Sequence, residues 1–162
     1  MQQDTSLTKP VVVALFVLIS VFAGIWYSGI RDEMSFGQAR DMRGRLLSIE
    51  GVRVYVDIAD EKSEWEKGLS GRDSLAPLRG MLFVFPTADY YKIWMKNMNF
   101  PIDVFWIDDN GKIVDIWHHA MPDSYPNAYR PNKRARYILE TVADFADEHG
   151  IEIGDSVLKL PR

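Results

Sequence analysis

The chain has 162 residues, of which 47% are hydrophobic, 26% charged and 12% aromatic, with a net charge of −4 and no cysteine. This suits one globular domain plus a localised apolar segment, and it excludes disordered, collagenous and disulfide-scaffold chains. Without cysteine there is no thiolate zinc site, Fe–S cluster or cysteine nucleophile, and scattered Lys and Arg in an acidic chain predict no nucleic-acid partner.

In chain order, residues 1–10 read as an N-terminal tail, and residues 11–30 (VVVALFVLISVFAGIWYSGI) carry no charge. At about 1.5 Å per residue that run crosses a hydrocarbon layer of roughly 30 Å, which predicts one transmembrane helix. Trp26 and Tyr27 suit the interfacial aromatic belt. A signal peptide cleaved near Val21-Phe22-Ala23 is the rival reading, but the apolar run continues past that point, which favours an uncleaved anchor. Residues 31–45 are polar and aperiodic, a tether, and residues 46–162 form the globular domain.

Within that domain Arg45–Ile49 and Val52–Ile58 flank the turn Glu50-Gly51, and Val52, Val54, Val56 and Ile58 alternate with polar residues as in a half-buried strand. Asp60 is the expected N-cap of a short cover helix, Glu61–Leu69, with Trp65 and Leu69 on one face. Gly80–Phe85, stopped by Pro86, reads as a buried strand, followed by Lys92–Met95. Ile102–Ile107 and Lys112–His118 flank Asn110-Gly111, a strong hairpin signal. Residues 119–132 carry three prolines and read as a long loop. Arg136–Thr141 is a strand, Thr141 and Asp144 suggest a capping box for a helix Val142–His149 ended by Gly150, and Ser156–Leu160 is the last strand. The fold expected is mostly β (α+β): a compact antiparallel, barrel-like sheet with two short helices.

These segments carry a resemblance. Gly68-Leu69 with Arg72, Gly80–Phe85, Trp94-Met95-Lys96-Asn97 with Pro101 and Asp103, Ala135–Glu140 and Gly150–Asp155 occur in this order, and together they resemble the bacterial and archaeal family called domain of unknown function 192, over residues 50–160. The resemblance implies a compact, mostly β domain, often behind a signal peptide or membrane anchor, with no established activity. The chain departs from that pattern at Met98 (usually threonine), at Ser70 (usually methionine) and at Val142-Ala143-Asp144 (usually Pro-Ala-Gly). A family ligand that used the threonine hydroxyl would lack it here. Membrane side is contested within the sequence. Lys9 alone precedes the span whereas Arg31, Arg40, Arg43 and Arg45 follow it, which argues for a cytoplasmic domain. The resemblance, and the layout of a short span before a folded domain, argue for an exported one. A single-pass membrane protein with an extracytoplasmic domain is the reading adopted.

The strongest cluster for chemistry is Trp94, Lys96, Asn97 and Asp103. Asp103 shares a strand face with Phe105 and Ile107, where a carboxylate needs a partner or a raised pKa. Lys96, Arg136 or backbone amides near Asn97 are the partners available. Functionally this is a ligand pocket with Trp94 as a stacking platform; structurally it is a buried ion pair that fixes a loop. Glu140 is a second carboxylate that could work with Asp103, although an Arg136–Glu140 ion pair is the simpler expectation. Arg72 is a candidate anion contact. His118-His119 lacks a third ligand and points to opposite strand faces, so no metal is expected. Tyr125, Tyr129 and the loop prolines could line a sugar or peptide groove, or simply cover the sheet. No nucleophile elbow, Walker loop, dinucleotide fingerprint or zinc-protease motif is present, and no cofactor is expected. The reading is a small binding or accessory module of the cell envelope; the alternatives are a metal-free hydrolase or lyase with Asp103 as base, and a structural partner of another envelope protein.

Overall fold

Apolar side chains at every second position of residues 52–58 give one strand face a run that water disfavours, and Val54 and Val56 on it are fully buried. In a computed structural model of the protein, which describes residues 44–161, this segment is β2 (Val52–Ala59), paired antiparallel with β1 (Arg45–Ile49). Glu50 and Gly51 join them with φ of 46° and 89°, as a type I′ hairpin requires. The predicted tail and span, and all but the end of the tether, lie outside the described residues. Among the described residues no helix is long and apolar enough to cross a membrane.

The chain continues through α1 (Lys62–Lys67), β3 (Arg79–Asp89), β4 (Ile93–Trp94), β5 (Ile102–Ile107) and β6 (Ile113–Ala120). A 3-10 turn (Pro122–Ser124), β7 (Ala128–Tyr129), β8 (Ala135–Val142), α2 (Phe145–His149) and β9 (Val157–Leu158) complete it. Seven strands form one sheet in the order β6-β5-β8-β3-β2-β1-β9, and β4 pairs with β7 beside it. The sheet curls until its edges meet: Lys112 bridges Ser156, Ile113 N donates to Asp155 O (2.9 Å) and Val157 N donates to Gly111 O (2.8 Å). The domain is thus a mostly β curled sheet with two short helices. One pairing departs from the expected antiparallel pattern. β2 and β3 run parallel, because α1 and the turn after it return the chain to the end from which β2 started.

Curling gives the sheet two buried faces. Leu82, Phe105, Ile107, Tyr137 and Leu139 point inward onto Phe145 of α2. Their neighbours Met81, Phe83, Val104, Trp106 and Ile138 point outward, under Trp65, Tyr91, Ile93 and Met98. This explains why β5 is buried at all six positions.

Several element limits differ from expectation for identifiable reasons. β3 runs through Pro86, because its register with β8 shifts between Val84 and Asp89 and no ladder N–H is needed there. α1 is shorter than Glu61–Leu69, and the Glu64 carboxylate, accepting Asp60 N and Glu61 N (3.0 and 3.2 Å), caps it instead of Asp60. α2 is only Phe145–His149: β8 extends to Val142, Asp144 is left-handed (φ 67°) and the Thr141 hydroxyl donates to Val142 O. The expected Thr141/Asp144 capping box does not form. Residues 119–132 are not all loop, since they end β6 and contain the 3-10 turn and β7. The last strand is Val157–Leu158, shorter than Ser156–Leu160.

Candidate functional site

The outer face of the sheet holds an acid where its register calls for a hydrophobe. Glu140 follows Ile138 on the outward side of β8, opposite Met81 of β3 and Val104 of β5. It is 5% exposed, and its Oε2 is buried without a hydrogen-bond partner. It lies in a cavity of about 280 Å³ walled by Trp65, Phe83, Phe85, Tyr91, Trp94 and Met98, with Lys62, Lys67 and Lys92 also on the lining. Gly68, at φ 49° just after α1, keeps the approach open: a Cβ there would stand 3.2 Å from Phe83 Cζ and 3.8 Å from Glu140 Oε2.

The walls present ring surface because their polar edges are already engaged. Trp65 Nε1 donates to Ala59 O (2.9 Å) and the Tyr91 hydroxyl donates to Thr87 O (2.9 Å). Trp65 and Phe85 lie 4.9 Å apart, and Phe85 stacks on Tyr91 at 3.6 Å. In these surroundings burial pushes the Glu140 carboxyl up to about 8, against a smaller opposing pull from Arg72. At neutral pH it is mostly an uncharged acid, a hydrogen-bond donor in an aromatic-walled site. Arg72 is itself held by Asp57, with both terminal nitrogens 3.0 Å from Oδ2.

Of the residues singled out from sequence, Glu140 and Trp94 line this cavity, and Lys96, Asn97 and Arg72 lie beside it. Trp94 lines it and is half exposed; Lys96 Nζ stands 5.7 Å over the Trp94 ring. Asn97 occupies a left-handed turn (φ 56°) whose carbonyl accepts Gly71 N (2.9 Å), while the Ser70 hydroxyl donates to Lys96 O (2.8 Å). These bonds tie that turn to the chain leaving α1, close to Arg72.

Asp103 is elsewhere. It points inward, is fully buried, and accepts His119 N on Oδ1 (2.8 Å) and Ala146 N on Oδ2 (2.9 Å). Its partners are therefore backbone amides of β6 and α2, and neither Lys96 nor Arg136 pairs with it. Asp103 and Glu140 are one register step apart on facing strands, so the pleat sends them to opposite faces and they cannot act as a pair. With both oxygens occupied and no access from solvent, Asp103 has no route to act as a base. Nor does the Arg136–Glu140 pair form: Arg136 lies 3.7 Å from Asp109 and donates to Phe85 O.

His118 and His119 both reach α2, at 3.4 Å from Asp147 and 2.7 Å from Asp144, because His119 adopts φ 48° and breaks the strand alternation. The Asp144 bond raises the His119 pKa. Tyr129 is a packing residue, between Trp106 and Trp117 with its hydroxyl on Asp115 Oδ1 (3.1 Å), whereas Tyr125 stands edge-on to Trp94. Sequence reasoning did not find Trp65, Phe85, Tyr91 or Met98 as walls, since they come from four separate segments. The available signal was Glu140 itself, an acid at a core-facing position of an otherwise apolar strand.

Comparison with known proteins agrees with this architecture. A crystal structure of a candidate transcription regulator from Sinorhizobium meliloti 1021 matches with a TM-score of 0.65 and 30% identity, over 69% of this chain and 88% of that one. A protein of unknown function from Novosphingobium aromaticivorans DSM 12444 matches with a TM-score of 0.66 and 24% identity, over 69% and 82%, and shares the fold. No functionally curated protein matches the chain. The profile of the family DUF192, described as "Uncharacterized ACR", covers residues 45–158. The chain therefore belongs to the domain of unknown function 192 family.

Proposed function

We propose that the domain is a small-molecule binding module, and that its ligand enters the outer cavity and contacts Glu140. The observation that carries this reading is the buried, unpartnered Glu140 Oε2 at an aromatic-walled cavity. A buried polar atom without a partner costs folding stability on the order of 1–3 kcal/mol, and a fold free to place leucine there gains nothing from the acid. A ligand that completes the hydrogen bond gives the acid a purpose. Trp94, with Lys96 over its ring, forms the outer lip, and Asn97 fixes the turn that holds it. The uncharged run 11–30 supports an anchored, single-pass protein, and the layout of a short span before a folded domain supports a domain that works at the extracytoplasmic face of the membrane.

The test is a nuclear magnetic resonance fragment screen on the purified full chain and on Met98→Trp, which fills the cavity from its side wall. Fragments that shift the Glu140 and Trp94 resonances of the parent and lose that effect in the variant are the expected result. Fragments that bind equally to both, or that shift only residues of the inner face, would overturn the proposal.

A further inference from the structure

The charges around the cavity restrict what it can hold. The cavity that holds Glu140 is also lined by Lys67 and Glu66 at the end of α1, Lys62 at its start and Lys92 beside β4, and Arg72 from the turn after α1 is the charge that acts on Glu140. Around Glu140, β3 and β5 contribute apolar side chains on that side, among them Met81, Phe83, Phe85 and Val104. Glu66 stands 3.8 Å from Lys62, and Arg72 is bound to Asp57. Among the described residues, Lys67 and Lys92 have no carboxylate within ion-pair distance. With a neutral acid inside, the lining is net positive, its inner donor wants an acceptor oxygen, and its walls are flat rings.

From this arrangement, and resting on the binding-module reading, we infer that the ligand is a small organic anion with a planar apolar body: its ring lies against Trp65, Phe85 and Tyr91, its acid group meets Lys67 and Lys92, and a neutral oxygen at its other end accepts from Glu140. A cationic ligand would meet the lysines as like charges and would need Glu140 ionised. A neutral ligand would leave the lysines unused. The sign of the pH dependence separates the cases. An anion that accepts from Glu140 binds only the protonated form, so its affinity falls as pH rises past about 8, where that proton leaves. A cation gains affinity over the same range.

The experiment uses three probes that share a ring with one hydroxymethyl group and differ in the group opposite it, a carboxylate, a second hydroxymethyl or a trimethylammonium: 4-(hydroxymethyl)benzoate, 1,4-benzenedimethanol and 4-(hydroxymethyl)phenyltrimethylammonium. None titrates between pH 6 and 10. Calorimetric titration of the purified full chain should rank the carboxylate tightest at pH 6.5. Its affinity should drop about tenfold by pH 9, where about a tenth of the chains keep the Glu140 proton. Glu140→Gln retains a donor and cannot ionise, so it should bind the carboxylate at pH 6.5 and keep that affinity at pH 9. Lys67→Glu with Lys92→Glu should weaken the carboxylate about tenfold or more and spare the diol. If the diol or the trimethylammonium probe binds tightest while the Glu140 resonance still shifts, the anion inference fails and the binding-module reading stands. If none of the three binds at millimolar concentration, both fail.

Discussion

Replacing Glu140 by glutamine should stabilise the protein, and only above acid pH. The carboxyl ionises near 8 in the folded chain against 4.5 as a free side chain, because burial disfavours its charge more than Arg72 favours it. Between those two values the folded state holds a proton that the unfolded state has released. Stability therefore falls as pH rises from about 4.5 and levels off above about 8, and the whole loss is on the order of 3–5 kcal/mol. Glutamine has nearly the same shape and no proton to lose, so the variant escapes this slope. The two proteins should melt together near pH 4.5 and diverge steadily, with Glu140→Gln higher at pH 8.5. For a domain of roughly 120 residues, 1 kcal/mol corresponds to about 4 °C, which gives a difference of about 12–20 °C. Thermal unfolding of the full chain, followed by near-ultraviolet circular dichroism at several pH values, measures it. Because only the difference between the two proteins is used, every other titrating group cancels. A difference that is constant with pH, or a variant less stable at pH 8.5, would show that Glu140 has a partner in the folded protein and would remove the basis for the site.

Two further outcomes test the inner face. Asp103→Asn keeps the volume but offers one acceptor where Ala146 N and His119 N need two, and turns an amide N–H2 toward the other donor. It should cost about 2–4 kcal/mol, a fall of about 8–15 °C in the same melting assay, and a fall under about 3 °C would mean that the carboxylate does not secure α2. His119 should titrate above 6.5 in a proton resonance titration, since Asp144 stabilises its charged form. That contribution is present in full below 6.5 and disappears as pH rises through the folded value. Asp144→Asn should bring the titration back down; an unchanged midpoint would assign the shift to another group.

What was legible in the sequence is what alternation and turn chemistry encode. Ile102–Ile107 is found at its observed limits because apolar residues on both faces bounded by Pro101 and Asp108 admit little else, and Glu50-Gly51 marks its hairpin because the turn needs positive φ at both positions. Strand direction is not encoded in this way. Val52–Ile58 has the same pattern beside a parallel or an antiparallel neighbour, so the β2–β3 pairing emerges only from where α1 delivers the chain. The same gap put Asp103 in one cluster with Trp94, Lys96 and Asn97. Asp103 is an acid on the face of Phe105 and Ile107, and Glu140 is an acid on the face of Ile138; nothing local distinguishes them. Long-range contacts do: the inner face brings the first turn of α2 and the end of β6 to Asp103, and each of its oxygens receives an N–H. The outer face brings Gly68, with no side chain and no donor aimed at the carboxyl, to Glu140.

That contrast between two buried acids on neighbouring strands is the strongest ground for placing function on the outer face. Satisfying a buried carboxylate with backbone amides was within reach of this fold, since it does so for Asp103 one register step away. At Glu140 the surrounding chain instead supplies a glycine, aromatic rings and open volume. Evolution removes such unsatisfied groups readily when they serve nothing, because a single substitution to a hydrophobe is enough and stabilising changes of this kind are easy to reach. An acid kept neutral and without a partner on this wall is best understood as waiting for a hydrogen-bond acceptor that the protein does not itself provide.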